Sequence, residues 1–283
     1  MIDKIDLFKK LFPEEKIITI NENQGAEHHI LDINNKWICK ISKNLDSSIL
    51  EIEANLLKAL HGKLKTKIPA IEYYEPNFIV YKKIPGIELT SEFYENLNSE
   101  QKNTLAYDIA FFLHELHNSL TIDEARKTGL KDTGWPWSPE QLIQKAYLID
   151  NAELKEVFNT FIKDYSNLRK EPLIKLIHND MIIRNIIINE QDYRLSGIID
   201  FTDAAIDDFY IDLRLNYMSI PELSKSIAEN YSKIANVTIN IKKIYIYYIA
   251  TEFSRYLQHI EEQKINDLDK IKERILSNLE YLN

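Results

Sequence analysis

A lone cysteine, Cys39, stands among 283 residues, which rules out an internal disulfide and any cysteine cluster able to hold zinc or an iron–sulfur centre. Cys39 itself reads as a small core residue. Long apolar runs are missing too. No stretch approaches the ~18 residues of a membrane span, and the charged, amphipathic N-terminus lacks the apolar core of a signal peptide. A cytoplasmic address is the expectation. Positive charge is in deficit: 35 Lys and Arg face 44 Asp and Glu, a net charge of −9. That argues against a general nucleic-acid binder, whose phosphate contacts need clustered cations. It suits a cationic ligand, although bulk acidity also serves solubility alone. Internal repeats and low-complexity tails are lacking. What is present is ordinary for a globular chain, with 45% hydrophobic and 28% charged residues, and this excludes disorder. The length suits one large domain or two smaller lobes.

The patterning favours two lobes. Residues 1–12 predict a short helix stopped by Pro13. Short β-like runs follow at 17–20, 28–33 and 37–41, with Asn34 and Asn35 as a hairpin turn signal between the last two. Asp46, Ser47 and Ser48 then offer caps for a helix whose apolar positions Ile49, Ile52, Leu56, Leu57 and Leu60 recur at helical spacing, ended by His61 and Gly62. Two more strands are expected at 68–74 and 78–84, turned by Pro76 and Asn77. After Pro85 and Gly86 the pattern changes. Residues 99–120 form a strong helical stripe of Leu105, Ile109, Phe112, Leu113 and Leu116. A loop at 129–139 carries Trp135 and Trp137, helical patterns return through 141–168, and short strands are expected at 173–177, 186–188 and 195–199. From Pro221 the chain reads as helices. The division expected is a β-rich lobe over residues 1–85 and a mainly helical lobe over 86–283, joined near 82–87.

Polar residues interrupt apolar strand patterns at His178, Asn179, Asp180, Asn185 and Asp200. Such placements cost stability unless each group is partnered, and functional sites are where such local costs are tolerated. Asp180 and Asn185 span a loop, and Asp200 ends the next strand. Each alone is an ordinary turn or strand-end residue. Together they match the needs of phosphoryl transfer: Asp180 as the carboxylate that orients a hydroxyl and takes its proton, Asn185 and Asp200 as oxygen ligands for a magnesium ion on the phosphates.

His178-Asn179-Asp180, the Asn five residues on, and Ile198-Ile199-Asp200-Phe201 resemble the catalytic loop and metal segment of kinase-like phosphotransferases. The continuation through Asp208 is similar to the aminoglycoside phosphotransferase family, where an Asp-Phe-Gly-Asp-Ala stretch is typical. The resemblance implies an α+β, bilobal protein-kinase-like fold, ATP or GTP as phosphate donor, Mg²⁺, and a small-molecule acceptor. A monomer that binds neither nucleic acid nor membrane is the expectation. In the N-terminal lobe the resemblance calls for a strand lysine on the phosphates, matched by Lys40, and a helix glutamate to hold it. Glu53 is the match, and Glu51 competes. Gly25 lies in the turn expected to cover the phosphates. His178 and Asp212 match supports of the catalytic loop. Thr202 stands where a glycine is usual, Phe209 where a proline is common, and Tyr210 where drug-modifying relatives often carry Asp.

An acceptor bearing several ammonium groups calls for carboxylates. Asp203, Asp208 and Glu252 are the candidates, with Asp207 and Glu222 read as surface acids. An aminoglycoside acceptor, as in antibiotic resistance, leads. Choline, an amino alcohol, a sugar or a macrolide on the same fold is the alternative. A nucleotide-binding module without catalysis fits less well, because Lys40, Asp180, Asn185 and Asp200 are all in place. A protein kinase fits least, for want of an Ala-Pro-Glu segment after Asp200.

Overall fold

Alternation along residues 37–41 decides the architecture of the N-terminal sheet. The computed structural model describes residues 2–24, 28–44, 48–214 and 219–278. Helix α1 (Ile2–Leu11) precedes β1 (Ile20–Gln24), β2 (His28–Ile33), β3 (Trp37–Ser42), α2 (Ile49–Leu60), β4 (Ile71–Glu75) and β5 (Phe78–Lys82). The five strands form one antiparallel sheet in the order β1-β2-β3-β5-β4. Successive strand residues face opposite sides. Trp37, Cys39 and Ile41 therefore join Leu31, Phe78, Val80 and Phe8 of α1 on one face. Ile38 joins Ile79, Tyr81, Leu50 and Ala54 of α2 on the other. Lys40, in phase with Ile38, is carried to the α2 side.

The hairpins follow their turn residues. Asn34 and Asn35 are both left-handed, at φ 58° and 52°, and the Lys36 amide closes the turn on the Ile33 carbonyl at 3.0 Å, as a type I′ turn requires. Asn77, at φ 68°, follows Pro76 between the paired residues Glu75 and Phe78. The first strand differs from expectation. It runs Ile20–Gln24 rather than over 17–20, because an edge strand needs no apolar alternation. Residues 18 and 19 instead donate their amides to the Asn34 side chain at 2.8 and 3.0 Å. Ser48 stands at the N-cap of α2 without a side-chain capping bond, and Asp46 and Ser47 lie outside the described residues.

Strand β6 (Ile87–Glu88) opens the C-terminal region, followed by α3 (Ser91–Glu95), α4 (Ser99–Ser119), α5 (Ile122–Lys127), α6 (Pro139–Lys145) and α7 (Ala152–Leu168). Next come β7 (Ile174–Ile177), β8 (Ile186–Ile188), β9 (Leu195–Ile198), β10 (Ala205–Asp208) and α8 (Tyr210–Arg214), then α9 (Pro221–Ala235), α10 (Ile241–Glu261) and α11 (Leu268–Leu276). Two small antiparallel sheets, β6-β8-β9 and β10-β7, sit among the helices. Gly86, at φ +129°, makes the junction possible: a Cβ there would lie 2.3 Å from the Ile188 carbonyl oxygen. The core stripe of α4 is fully buried. Strand β10 had no signal in the sequence, since Ala-Ile-Asp-Asp is too polar to read as a strand. The architecture is the expected α+β one, an antiparallel sheet region followed by a mainly helical region. No helix among the described residues is long and apolar enough to cross a membrane.

Candidate active site

Lys40 sits between Ile30 and Ile79 on the flanking strands, with 3% of its side chain exposed. A buried ammonium needs counter-charge, and α2 supplies it. Leu50 and Ala54 anchor the helix to the sheet, and Glu53 is buried beside them. Its carboxylate accepts from Lys40 Nζ at 2.8 and 3.1 Å. Glu51 is exposed, so the structure pairs Lys40 with Glu53. Glu53 Oε1 also accepts the Phe201 amide at 3.2 Å, tying the helix to the segment after β9.

That segment brings Asp200 to Lys40, at 2.8 Å from Nζ. Asp200 is left-handed at φ 65°, a conformation in which aspartate is tolerated better than most residues and which clusters at functional sites. Burial would raise its pKa, but Lys40 outweighs that and holds the carboxyl well below the usual range. For Lys40, burial is in turn outweighed by Glu53 and Asp200, so its pKa is raised and it stays charged. Thr202 completes the cluster. Its hydroxyl donates to Asp200 Oδ1 at 2.6 Å and lies against Lys40 and Glu53. A glycine at this position would offer none of these contacts.

The loop after β7 supplies the second half. Asp180 is partly exposed. Asn185, 3% exposed and ending a single helical turn before β8, donates its amide to the Asp180 carboxylate at 2.9 Å and carbonyl at 2.8 Å. The amide nitrogen is thus engaged, and the Asn185 side-chain oxygen is the atom left to serve as a ligand. His178 is fully buried. Its Nε2 faces the Ile199 carbonyl at 3.1 Å and its Nδ1 meets the Asp180 amide at 3.3 Å, the neutral tautomer with the proton on Nε2. It therefore links the Asp180 loop to the Asp200 segment. Asp212, at 0% exposure, accepts the backbone amides of His178 and Asn179 at 2.9 and 2.7 Å and the His117 ring at 3.0 Å. Burial alone would raise the Asp212 pKa, but these hydrogen bonds, His117 foremost, hold it below the usual carboxylate range. Gly25 lies outside the described residues.

The structure does not bring the acceptor-side acids together. Asp203 is exposed, but Asp208 and Glu252 are both 0% exposed. Asp208 accepts from the Tyr247 hydroxyl at 2.8 Å and the Tyr210 amide at 3.2 Å. Burial raises its pKa. Glu252 is held by Arg274 at 2.7 Å and Arg255 at 3.4 Å. Neither carboxylate faces solvent, so the expectation that they line an open acceptor site is corrected: their charge is met inside the fold. Asp207, expected on the surface, is 3% exposed and paired with Arg169. Glu222 is on the surface beside Lys102. Phe209 stacks on Tyr231 and lies against His117. The tryptophan loop is anchored rather than loose: the Trp137 amide donates to Ser254 Oγ at 3.0 Å, and the Tyr165 hydroxyl to the Trp137 carbonyl at 3.1 Å.

Glu252→Ala is accordingly expected to destabilise the fold. Removing one partner of a buried pair costs ~3–5 kcal/mol. Arg274 keeps 33% side-chain exposure, so water can solvate it in the variant. About 2–3 kcal/mol, or roughly 5–10 °C in Tm for a chain of this size, is the expected loss. Thermal unfolding of both proteins checks it. An unchanged Tm with a raised KM for the acceptor would return Glu252 to the acceptor site.

Two residues of this region escaped the sequence reading. His117 carried a weak signal, a polar residue on the apolar stripe of α4. Arg214 carried none, because an arginine one step past Leu213 looks like any solvated helix position. It is fully buried.

Comparison with known proteins agrees with this geometry. Residues 24–233 match the sequence model of the phosphotransferase enzyme family. Among solved structures, the GDP complex of aminoglycoside 2′-phosphotransferase-IIIa superposes with a TM-score of 0.85 over 98% of this chain and 97% of that one, at 20% identity. Macrolide 2′-phosphotransferase type I gives 0.71 over 97% of each chain at 16% identity. The streptomycin–ATP ternary complex of APH(2″)-IIa gives 0.66 over 96% and 95% at 22%. At these identities the likeness is one of fold. The match to the family, which spans most of the sequence, goes further: this chain belongs to the phosphotransferase enzyme family, whose members transfer phosphate to hydroxyl groups.

Proposed function

We propose that the chain transfers the γ-phosphoryl group of ATP or GTP to a hydroxyl of a small molecule, with an aminoglycoside as the leading acceptor and antibiotic resistance as the role. The observation that carries this is a pair of clusters, Lys40, Glu53 and Asp200 in one and Asp180 and Asn185 in the other, whose segments are joined through the His178 ring. In this reading Lys40, steadied by Glu53, binds donor phosphates. Asp180 orients the acceptor hydroxyl and takes its proton as the oxygen attacks the γ-phosphorus. The bond from that phosphorus to the bridging oxygen breaks, and the nucleoside diphosphate leaves with the electron pair.

Magnesium fits the donors present. Lys40 is bonded to two carboxylates, Glu53 and Asp200, so its positive charge is already offset before a polyphosphate enters. Asp200 and the side-chain oxygen of Asn185 are the hard oxygen ligands for Mg²⁺, which takes one or two protein oxygens and completes its shell with phosphate and water. When bound, the ion neutralises charge on the phosphates. Gly25 is assigned to the turn over them.

The aminoglycoside reading rests on the resemblance around Asp200, on the net charge of −9, and on neighbours solved with kanamycin, streptomycin or gentamicin. A second reading, a macrolide or another acceptor of low charge, is favoured by one observation: Asp207, Asp208 and Glu252 are met by internal partners, which leaves Asp203 as the candidate acid on the surface. The same proposal has the enzyme working as a cytoplasmic monomer that engages neither nucleic acid nor membrane. A coupled nucleotide-consumption screen tests it, run with ATP and GTP over kanamycin, streptomycin, a macrolide, choline and a sugar. Turnover with an aminoglycoside well above the acceptor-free rate is the expected result. Turnover confined to the macrolide selects the second reading, and none with any acceptor overturns both.

A further inference from the structure

Arg214 is the largest fully buried side chain among the described residues, and it makes no ion pair there. Its guanidinium donates to Thr251 Oγ1 at 2.7 Å, the Ile211 carbonyl at 2.8 Å and Asn179 Oδ1 at 3.2 Å. All three acceptors are neutral. A buried cation without a carboxylate in contact is costly, and such costs are tolerated where a site needs them. Asp212, two residues away on the same helix, makes no hydrogen bond to it: its oxygens accept from His117 and from the amides of His178 and Asn179. Burial pulls the Arg214 pKa down to about 10, against the opposing charge of Asp212, so the group remains charged at neutral pH.

Its target is Asn179, the residue before Asp180. Asn179 is left-handed at φ 65°. Such a conformation persists where the surroundings over-determine it, and here α8 grips the residue twice. Asp212 holds its backbone amide and Arg214 holds its side-chain oxygen. With that oxygen fixed, the Asn179 side-chain nitrogen points the other way, to the Asp203 carbonyl at 3.1 Å and Thr133 Oγ1 at 3.3 Å. Thr133 in turn accepts the Trp135 amide at 3.0 Å. One amide thus joins the Asp180 loop, the segment after Asp200 and the tryptophan loop.

We propose that Arg214 is a positioning residue for phosphoryl transfer, which fixes the amide of Asn179 and thereby sets Asp180 relative to the Asp203 segment and the loop at Thr133. The inference rests on the phosphotransferase reading given above. Its test uses slow hydrolysis of Mg·ATP by water, which needs no identified acceptor, beside calorimetric titration of the same protein with Mg·ATP. In Arg214→Met the binding stoichiometry and Kd stay near wild type, because Lys40, Glu53 and Asp200 are untouched, while kcat per binding site falls by about 10²-fold, the scale of a small misplacement of a catalytic group. A purely structural role would lower the stoichiometry and leave kcat per site unchanged, and that result overturns the proposal. If Arg214→Met does not fold, Thr251→Val removes the acceptor of Nε and leaves the charge in place. Its kcat per site should fall by about threefold to tenfold, less than the full value of a hydrogen bond to a charged group, because the guanidinium keeps its other two acceptors, and an unchanged value overturns the proposal. The titration and hydrolysis are run with Mg·GTP where the wild type prefers it, and a wild type that neither binds nor hydrolyses Mg·ATP or Mg·GTP would overturn the phosphotransferase reading itself, a distinct outcome.

Discussion

Asp180→Asn is expected to lower kcat by about 10²–10⁴-fold, the usual contribution of a positioned base, and to leave nucleotide affinity close to wild type. The substitution is nearly silent in shape. The side-chain oxygen of an asparagine here still accepts the Asn185 amide, which lies 2.9 Å from the carboxylate now, and the contact to the backbone carbonyl at 2.8 Å is unaffected. The loop is also held independently, by Asp212 on the amides of His178 and Asn179. What disappears is the negative charge and the capacity to take a proton from the attacking hydroxyl. Steady-state kinetics with the acceptor found by the screen, or with water as acceptor, measures the effect, and calorimetry measures the affinity. Turnover near wild type would remove Asp180 from the mechanism.

Asp200→Asn is expected to abolish the magnesium dependence of nucleotide binding and to weaken Mg·ATP binding by at least about 100-fold, since a metal ion on phosphate oxygens is worth several kcal/mol and each ~1.4 kcal/mol is tenfold. Asparagine is a better probe than alanine. Residue 200 has φ 65°, which asparagine adopts readily and alanine does not, so the alanine variant would mix backbone strain with loss of the ligand. Lys40 keeps Glu53 at 2.8 Å in the variant and remains able to meet phosphate. The residual affinity should therefore be insensitive to chelation by EDTA. Titration with ATP in the presence and absence of Mg²⁺ reads both quantities. Unchanged affinity with unchanged metal dependence would place the metal elsewhere.

Much of the fold was legible because the signals are local. The left-handed turn at Asn34 and Asn35, the stripe of α4 and the inward phase of Lys40 each follow from a few neighbouring residues. Strand β1 was misplaced because its pairing partner β2 sets its position, not its own polar residues. The site was legible in a different way. His178, Asp180, Asn185 and Asp200 are polar residues in apolar surroundings, and their order along the chain carries the resemblance. Lys40 and Glu53 stood out only because that resemblance demanded them.

By itself the sequence singled out the candidates for phosphoryl chemistry and, where they lie on a regular element, as Lys40 does, the face they occupy, because side-chain periodicity is a property of the backbone alone. The tertiary structure decided what each charge meets. Glu252 and Asp208 read in the sequence as carboxylates of an acceptor site, yet Arg274 and Tyr247 meet them inside the fold. Lys40 finds Asp200 across 160 positions of sequence, and Arg214 finds Asn179 across 35. A carboxylate or guanidinium has the same local pattern whether its partner is water or a distant residue, so only packing separates a ligand site from a buried network.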